Sequence, residues 1–128
     1  MSGLPTDTKE RKMYPICTGV LDYFPLAIAE VARVSLAGNL QHCPGEPLHW
    51  DRSKSANDSD ALARHFIDRG KIDIDGQRHS AKMAWRALAI LQKEKELETE
   101  QEETTAVSLS LKDLGEAILE WWADLEWW

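Results

Sequence analysis

Cysteine is scarce in this chain of 128 residues, which contains only Cys17 and Cys43. Two thiols are too few to indicate a disulfide framework or a zinc finger, so both are predicted to be free in a reducing cytoplasm. No apolar run approaches the roughly 20 residues that a membrane-spanning helix needs. The polar residues 1–12 lack the apolar stretch of a secretory signal. These absences favour a soluble cytoplasmic protein with no membrane partner.

A basic stripe is missing as well. Residues 1–92 contain 12 Lys and Arg against 11 Asp and Glu, whereas residues 93–128 contain 3 against 11. The body is therefore near neutral and the tail strongly acidic, which argues against a protein that binds duplex nucleic acid. The sequence also has no internal repeat, no glycine-rich phosphate loop, no zinc-ligand spacing of Cys and His, and no nucleophile elbow.

The length is that of one domain, which can bury a core without disulfides. The predicted fold is all-α, a bundle of about four helices with an additional tryptophan-rich helix at the C-terminus. Four segments are predicted: a flexible arm (1–12), a helical body (13–95), an acidic linker (96–107) and an amphipathic helix (108–128) that mediates assembly. Within the body, Pro15 and Gly19 indicate a packed loop over residues 13–23.

The first long helix is predicted over residues 25–37. Pro25 suits its first position, and the Gly38-Asn39 pair is a typical stop. It is apolar almost all round, which predicts burial by neighbouring helices or by a second subunit. Its two charged residues, Glu30 and Arg33, share one face. Two interpretations stay open: a structural ion pair, or a Glu30 that points into a polar site and binds a cation.

A long connection follows at residues 40–57, where two prolines and a glycine argue against regular structure. Loops of this length in a small domain are usually functional. Trp50 offers a ring for a base to stack on, and Arg52 and Lys54 offer cations for phosphates. An equally weighted alternative is a surface loop that Trp50 anchors to the core.

Two further helices are predicted around a short acidic loop. The second helix starts near residues 58–60, ends at Gly70 and carries His65 beside its apolar face. The loop that follows presents Asp73 and Asp75. The simpler interpretation is that His65 packs in the core and that the loop only caps the next helix. However, two carboxylates that face two histidines are more than a cap requires.

The third helix is predicted over residues 77–98. His79, Lys82 and Arg86 form one polar line along it. Such a line is most often a solvated face, yet the two aspartates precede it directly, which favours a site.

The tail has its own pattern. Ser110 and Asp113 resemble a capping box. Apolar residues then recur at heptad spacing, namely Leu111, Leu114, Ile118, Trp121, Leu125 and Trp128. Four of the six tryptophans lie here: Trp121, Trp122, Trp127 and Trp128. Such a surface is predicted to dock on the body or on another subunit.

Several blocks of the body resemble a known family: residues 29–39, 41–42, 44–55, 64–65, 72–76 and 78–82. Together they are similar to the dATP/dGTP diphosphohydrolase domain of phages and bacteria, which is itself similar to MazG-type all-α nucleotide pyrophosphohydrolases. The resemblance extends over residues 13–95. It implies a self-associating helical bundle, a homo-dimer or tetramer, in the host cytoplasm if the chain is phage-encoded. It also implies cleavage of purine deoxynucleoside triphosphates to monophosphate and pyrophosphate with Mg²⁺ or Mn²⁺.

The chain departs from the patterns of these enzymes. MazG-type enzymes carry E-x-x-E on one helix and E-x-x-D on another; here the first becomes Glu30-x-x-Arg33, and His65-x-x-Asp68 is the nearest analogue of the second. Relatives in the diphosphohydrolase family often show H-x-x-H where this chain has His79-x-x-Lys82. Two ligand positions are thus cations, which implies either fewer metal ions with direct phosphate clamping, or a chain that is no longer an enzyme.

The resulting hypothesis assigns three groups of residues. The metal ligands are Glu30, His65, Asp73, Asp75 and His79. The catalytic residues are Glu30, Asp75 and Lys82. The substrate-binding residues are Asn39, Trp50, Arg52, Lys54, Arg64 and Arg33. Two rival functions are a protein that sequesters a nucleotide without cleaving it, and an interaction protein whose acidic tail is the working part.

Overall fold

A computed structural model describes residues 3–125, and it confirms the all-α prediction. The four α-helices in this part of the chain are α1 (Thr8–Arg11), α2 (Pro25–His42), α3 (Asp58–Ile67) and α4 (His79–Leu125). A π-helical turn at Cys17–Leu21 and a 3-10 turn at Arg52–Lys54 lie between them. Within residues 3–125 there is no β-strand, and no helix is both long and apolar enough to cross a membrane.

The helix α2 begins at Pro25 as predicted but continues past the Gly38-Asn39 pair to His42. The side chain of Asn39 explains the difference. Its Nδ2 donates to the carbonyl of Glu46 at 3.1 Å, and its Oδ1 accepts from the amide of His49 at 3.3 Å. The buried asparagine therefore holds the returning loop instead of ending the helix, which is a long-range role that local stop rules do not capture.

The helix α3 begins at Asp58, within the predicted range, but ends at Ile67 rather than at Gly70. Asn57 occupies the cap position without a side-chain hydrogen bond to the helix. The chain reverses at Gly70, whose φ of 85° lies in the left-handed region that favours glycine. Gly70 therefore marks the chain reversal correctly. The α-helix ends a few residues before it.

The acidic linker predicted over residues 96–107 is wrong, because α4 runs unbroken from His79 to Leu125. The predicted third and last helices are one helix, and the capping box at Ser110 lies inside it. Glu, Lys, Leu and Ala are strong helix formers, and no proline or glycine interrupts residues 79–114. The apolar periodicity is lost over residues 96–107 because this part of the helix is exposed to solvent, and not because the helix ends. Trp127 and Trp128 lie outside the described residues.

Residues 3–92 form one compact unit, and the described residues from Lys93 onward belong to a second. In the first unit the buried apolar side chains are small: Ala61 on α3, with Ala81 and Ala89 on α4. Alanines permit close approach of helix backbones, so α3 and α4 pack through small residues. The buried polar residues of this unit are Asn39, Ser55, Asp58 and Gln77.

Two predictions of burial are not met within a single chain. The loop over residues 13–23 was expected to be packed, yet its large apolar side chains are exposed. On α2, which was expected to be central, Leu26 is 83% exposed and Leu40 is 62% exposed. Hydrophobic periodicity predicts that a face is apolar, and it does not say whether the same chain covers it. The arm over residues 1–12, predicted to be flexible, contains α1, which Asp7 caps at its N-terminus.

One hydrogen bond joins α2 to α4 directly. The indole Nε1 of Trp85 donates to the hydroxyl of Ser35 at 2.7 Å. Replacing Ser35 with alanine is expected to lower the free energy of unfolding by about 1 to 2 kcal/mol, because the part-buried indole loses its acceptor. Urea denaturation measures the effect, and Ser108→Ala on the exposed part of α4 is the control. Equal stability of the two variants would show that this bond is not what holds α2 against α4.

Candidate metal site

The loop between α3 and α4 folds back on itself and brings two histidines together. The amide of Asp73 donates to the carbonyl of Gln77 at 2.8 Å, and the amide of Gly76 donates to the carbonyl of Asp73 at 2.9 Å. Gly76 has a φ of 81°, a conformation that a residue with a side chain rarely adopts. The amide of His79 then donates to the carbonyl of Lys71 at 3.1 Å, which fixes the first residue of α4.

The rings of His65 on α3 and His79 on α4 face each other. Their Nδ1 atoms are 2.9 Å apart, and their ring centroids are 5.2 Å apart. On the far side of His79, Nε2 lies 3.8 Å from Oδ1 of Asp73. Each of the three residues offers one potential ligand atom, and these atoms lie within 4.8 Å of one another. All three residues are only partly exposed. The cluster therefore has the composition and spacing of a small metal site.

The protonation state of His65 suits this role. The pKa of His65 is held below its ordinary value, first by burial and then by the positive charges of Lys82 and His79. Two Nδ1 atoms at 2.9 Å cannot both carry a proton on the line between them, so at least one presents a lone pair. A neutral imidazole with a free lone pair is the form that binds metal ions.

The separation of the two nitrogens also fits shared coordination. Two ligand nitrogens bonded to one ion at about 2.1 Å, and at right angles to each other, lie about 3 Å apart. The observed Nδ1–Nδ1 distance is 2.9 Å. If Nδ1 of His79 held an ion, Asp73 would lie on the Nε2 side of the ring, at 3.8 Å, where a carboxylate commonly orients a metal-bound histidine. The geometry thus gives Asp73 two available functions, as a ligand or as an orienting group.

Lys82 fixes the acidic side of the cluster. Its Nζ donates to Oδ2 of Asp73 and to Oδ2 of Asp75, each at 2.7 Å. The hydrogen bond to Lys82 is the main reason that the pKa of each aspartate is lowered. Burial acts to lower the pKa of Lys82, but the two carboxylates outweigh it and the pKa is raised. All three groups are therefore charged at neutral pH, and one cation holds both carboxylates in place.

A second charged side chain, that of Arg86, stabilises the arrangement of α3 and α4 around the site. Arg86 lies one helical turn beyond Lys82, and its Nη1 donates to Oδ1 of Asp58 at 2.7 Å. The hydroxyl of Ser55 donates to the same oxygen at 2.7 Å. Ser55 and Asp58 are 3% and 7% exposed. This buried cluster fixes the start of α3 against α4, and therefore the distance between His65 and His79.

Lowering the pH from about 7 to about 5 is expected to destabilise the protein through His65. In the unfolded chain the pKa of this histidine returns to about 6.5, above its folded value, so the unfolded state binds the proton first. The stabilisation is complete above the unfolded pKa and declines as the pH falls toward the folded one. The slope should stay well under the one-proton limit of about 1.4 kcal/mol per pH unit, because the ring is partly exposed. Urea denaturation at several pH values should show a flatter profile for His65→Gln, and an unchanged profile would contradict this assignment.

The structure separates the predicted metal ligands into two groups. Of the five predicted ligands, only His65, Asp73 and His79 come together in a cluster among the described residues. Glu30 instead accepts two hydrogen bonds from Nη1 of Arg33, at 3.0 and 3.2 Å, which is the ion pair that the sequence left open. Asp75 is held by Lys82 and is not part of the cluster. Both outcomes were open for Glu30 in the sequence, and the structure shows the ion pair, because Arg33 is close enough to satisfy the carboxylate locally.

Most of the side chains predicted to contact a nucleotide instead contact other residues of this chain. The Trp50 ring meets Trp85 edge-on at 5.6 Å, and Arg52 lies 4.1 Å from the centroid of Trp50. Lys54 donates to the carbonyl of His42 at 3.0 Å. These contacts match the alternative in which Trp50 anchors the loop to the core. Asn39 is buried on α2, where its side chain holds the returning loop, whereas Arg64 is exposed on α3.

Sequence reasoning missed three features, two of which join residues 28 or more positions apart in the chain. They are the Ser35–Trp85 bond, the Arg86–Asp58–Ser55 cluster, and a group formed by Cys43, Glu46 and His49. The last group is local, and its members recur at every third position (43, 46 and 49), which is the one local signal that was available.

The fold and the cluster define the chain as an all-α protein with a candidate histidine–carboxylate metal site. Comparison with known proteins adds no relative: no family model, curated protein or solved structure matches the chain. Function is therefore argued from the geometry together with the resemblance noted above.

Proposed function

We propose that the protein is a metal-dependent hydrolase that cleaves purine deoxynucleoside triphosphates, dATP or dGTP, to the monophosphate and pyrophosphate. One observation carries the proposal: the two Nδ1 atoms of His65 and His79 converge at 2.9 Å with Asp73 beside them. Two imidazoles and a carboxylate favour Mn²⁺ over Mg²⁺, because imidazole suits first-row transition ions and Mg²⁺ prefers oxygen.

In this proposal His65, His79 and Asp73 would hold one ion, which would supply Lewis acidity to the phosphates and to a water molecule. Attack of that water on the α-phosphorus would break the α–β phosphoanhydride bond, and pyrophosphate would leave with the bridging oxygen. Lys82 would supply a fixed positive charge near the phosphates, because its two carboxylate partners hold the ammonium in position. Arg64 is exposed on the same helix as His65, one residue before it, and is assigned to the phosphates.

The proposal is tested by incubating the purified protein with each of the four deoxynucleoside triphosphates in the presence of Mn²⁺, Mg²⁺ or no added metal. We expect pyrophosphate release with dATP or dGTP, faster with Mn²⁺ than with Mg²⁺, and abolished by a chelator. Pyrophosphate and monophosphate should form in equal amounts. Release of orthophosphate instead would indicate a different bond, and no release with any metal would overturn the proposal.

A nucleotide-binding protein without turnover is the second candidate, and one observation favours it. Lys82 lies 2.7 Å from both aspartates, where a second metal ion would otherwise find its carboxylates. An internal ammonium can replace such an ion electrostatically but cannot generate a metal-bound hydroxide. Calorimetric titration with dATP or dGTP discriminates the two, since binding that does not depend on metal, with no product formed, identifies the second candidate.

We also propose that the outer part of α4 joins copies of this chain in a homo-dimer or tetramer. Val107, Leu111, Leu114, Ile118 and Trp121 follow heptad spacing, and each is about half exposed or more. Replacing Leu111 and Leu114 together with serine is expected to shift the protein toward monomer in sedimentation velocity. The control exchanges Ser108 and Ser110 for alanine, off the seam. An unchanged sedimentation coefficient in the leucine variant would exclude this seam as the interface.

A further inference from the structure

A second group of metal-binding side chains lies in the loop that follows α2. It consists of Cys43, Glu46 and His49, and the potential ligand atoms of the three lie within 4.8 Å of one another. None of these residues belongs to the cluster around His65 and His79. The group combines a thiol, an imidazole and a carboxylate, which are the three ligand types that zinc accepts.

The local backbone is built to bring the first two members together. Residues 43–46 form a tight turn in which the amide of Glu46 donates to the carbonyl of Cys43 at 3.2 Å. Pro44 occupies the second position of this turn, and Gly45, with a φ of 82°, occupies the third. This is the proline–glycine pattern of a type II turn, which needs a positive φ at its third residue. The buried Asn39 then fixes both ends of residues 46–49. Its side chain bonds to the carbonyl of Glu46 and to the amide of His49.

The hydrogen bond of His49 determines which ring nitrogen is available. Its Nδ1 lies 2.9 Å from the carbonyl oxygen of Pro47, and a carbonyl can only accept, so Nδ1 carries the proton. In the neutral ring Nε2 is then a bare lone pair. A backbone carbonyl that fixes the tautomer in this way is the usual support of a metal-binding histidine.

This bare nitrogen faces a carboxylate. Nε2 of His49 lies 3.5 Å from Oε2 of Glu46, so in the neutral ring two acceptors face each other at a separation that one cation can bridge. Two ligands bonded to zinc at about 2.1 Å and at the tetrahedral angle lie about 3.4 Å apart. A proton on the ring would also satisfy this pair, but it would give the nearby Cys43 thiol no function.

We propose that Cys43, Glu46 and His49 bind one zinc ion, through the Cys43 thiolate, a Glu46 carboxylate oxygen and Nε2 of His49, with water as the fourth ligand. Cys43 caps the end of α2, and His49 precedes Trp50, which packs on Trp85 of α4. The ion would tie the end of α2 to the segment that carries this tryptophan. The site is structural in this role and independent of the proposed hydrolysis.

The test measures thiol protection and uses Cys17 as a control within the same molecule. Cys17 is exposed, and its thiol is hydrogen-bonded to Asp22 rather than placed in a metal-binding group. The whole chain is treated with iodoacetamide with and without Zn²⁺, and the alkylation of each cysteine is followed by peptide mass spectrometry. We expect Zn²⁺ to slow the alkylation of Cys43 at least about tenfold, since a metal-bound thiolate is a poor nucleophile, and to leave Cys17 unchanged.

Substitutions of the other two proposed ligands distinguish a three-ligand zinc site from a cysteine that is only reactive. His49→Gln and Glu46→Gln should each raise the Zn²⁺ concentration that half-protects Cys43 by at least about tenfold. His42→Gln, one residue before Cys43, should not change it. Titration with Co²⁺ should give a sulfur-to-cobalt charge-transfer band that Cys43→Ser removes and Cys17→Ser retains. The band should persist in a His65→Gln, His79→Gln protein, which separates this site from the other cluster. Equal protection of both cysteines, or protection unaffected by His49→Gln, would overturn the proposal.

Discussion

Replacing His79 with glutamine is expected to reduce metal-dependent pyrophosphate release by at least about 10³-fold, which corresponds to ~4 kcal/mol of transition-state stabilisation. Glutamine keeps a polar side chain at the start of α4 but has no imidazole Nδ1 to share an ion with His65. The same loss is expected for His65→Gln. In the proposed site the two rings would act on one ion, so the double variant should be little worse than either single variant.

The measurements needed are product formation at saturating Mn²⁺ and Mn²⁺ affinity by calorimetry for each variant. His42→Gln is the matched control, because His42 is an exposed histidine on α2 and its backbone carbonyl, not its ring, accepts from Lys54. The control should keep both activity and metal affinity within about twofold. If His79→Gln retains more than a tenth of the wild-type rate while its circular dichroism is unchanged, the site has been misassigned.

Replacing Arg86 with alanine is expected to lower the free energy of unfolding by about 3 kcal/mol, the largest stability effect anticipated for one side chain here. Asp58 is 7% exposed, and Nη1 of Arg86 lies 2.7 Å from its Oδ1. Removing the cation leaves a carboxylate largely shielded from water, and such a charge costs several kcal/mol unless it is paired. Because this cluster sets the spacing of α3 and α4, the proposed hydrolysis should also decline.

Arg33→Ala provides the comparison, since Arg33 also pairs with a carboxylate but its side chain is 59% exposed. An exposed pair contributes little, so this variant should stay within about 0.5 kcal/mol of the wild type. Adding Asp58→Asn to Arg86→Ala should recover part of the loss, because it removes the buried negative charge that Arg86 neutralised. Equal unfolding midpoints for Arg86→Ala and Arg33→Ala in urea would contradict the importance given to burial.

The helical elements could be predicted from local chemistry to different extents. Pro25 marked the start of α2, and the Asn57-Asp58 segment marked the start of α3, because both signals act over a few residues. The end of α2 was misjudged, since Asn39 bonds to a loop that returns to it. The linker within α4 was misjudged because a fading apolar pattern measures exposure and not helix formation.

The candidate site shows the same division. The sequence indicated His65, Asp73 and His79 by chemical type, and the structure brings those three together. It also suggested Glu30 and Asp75, which have the right chemistry but meet Arg33 and Lys82 instead. Residue type restricts which side chains can bind a metal ion, but partner choice depends on distances that the pattern does not contain.

The sequence by itself determined that this chain is helical, where its central turn falls, and that imidazoles and carboxylates are concentrated around that turn. These properties follow from backbone propensity and side-chain chemistry, which act between near neighbours. Only the tertiary structure decided that two rings on different helices meet at 2.9 Å, that Lys82 holds both aspartates, and that Asp58 is buried against Arg86. Those contacts join residues from 7 to 28 positions apart, and the packing of α3 against α4 sets them.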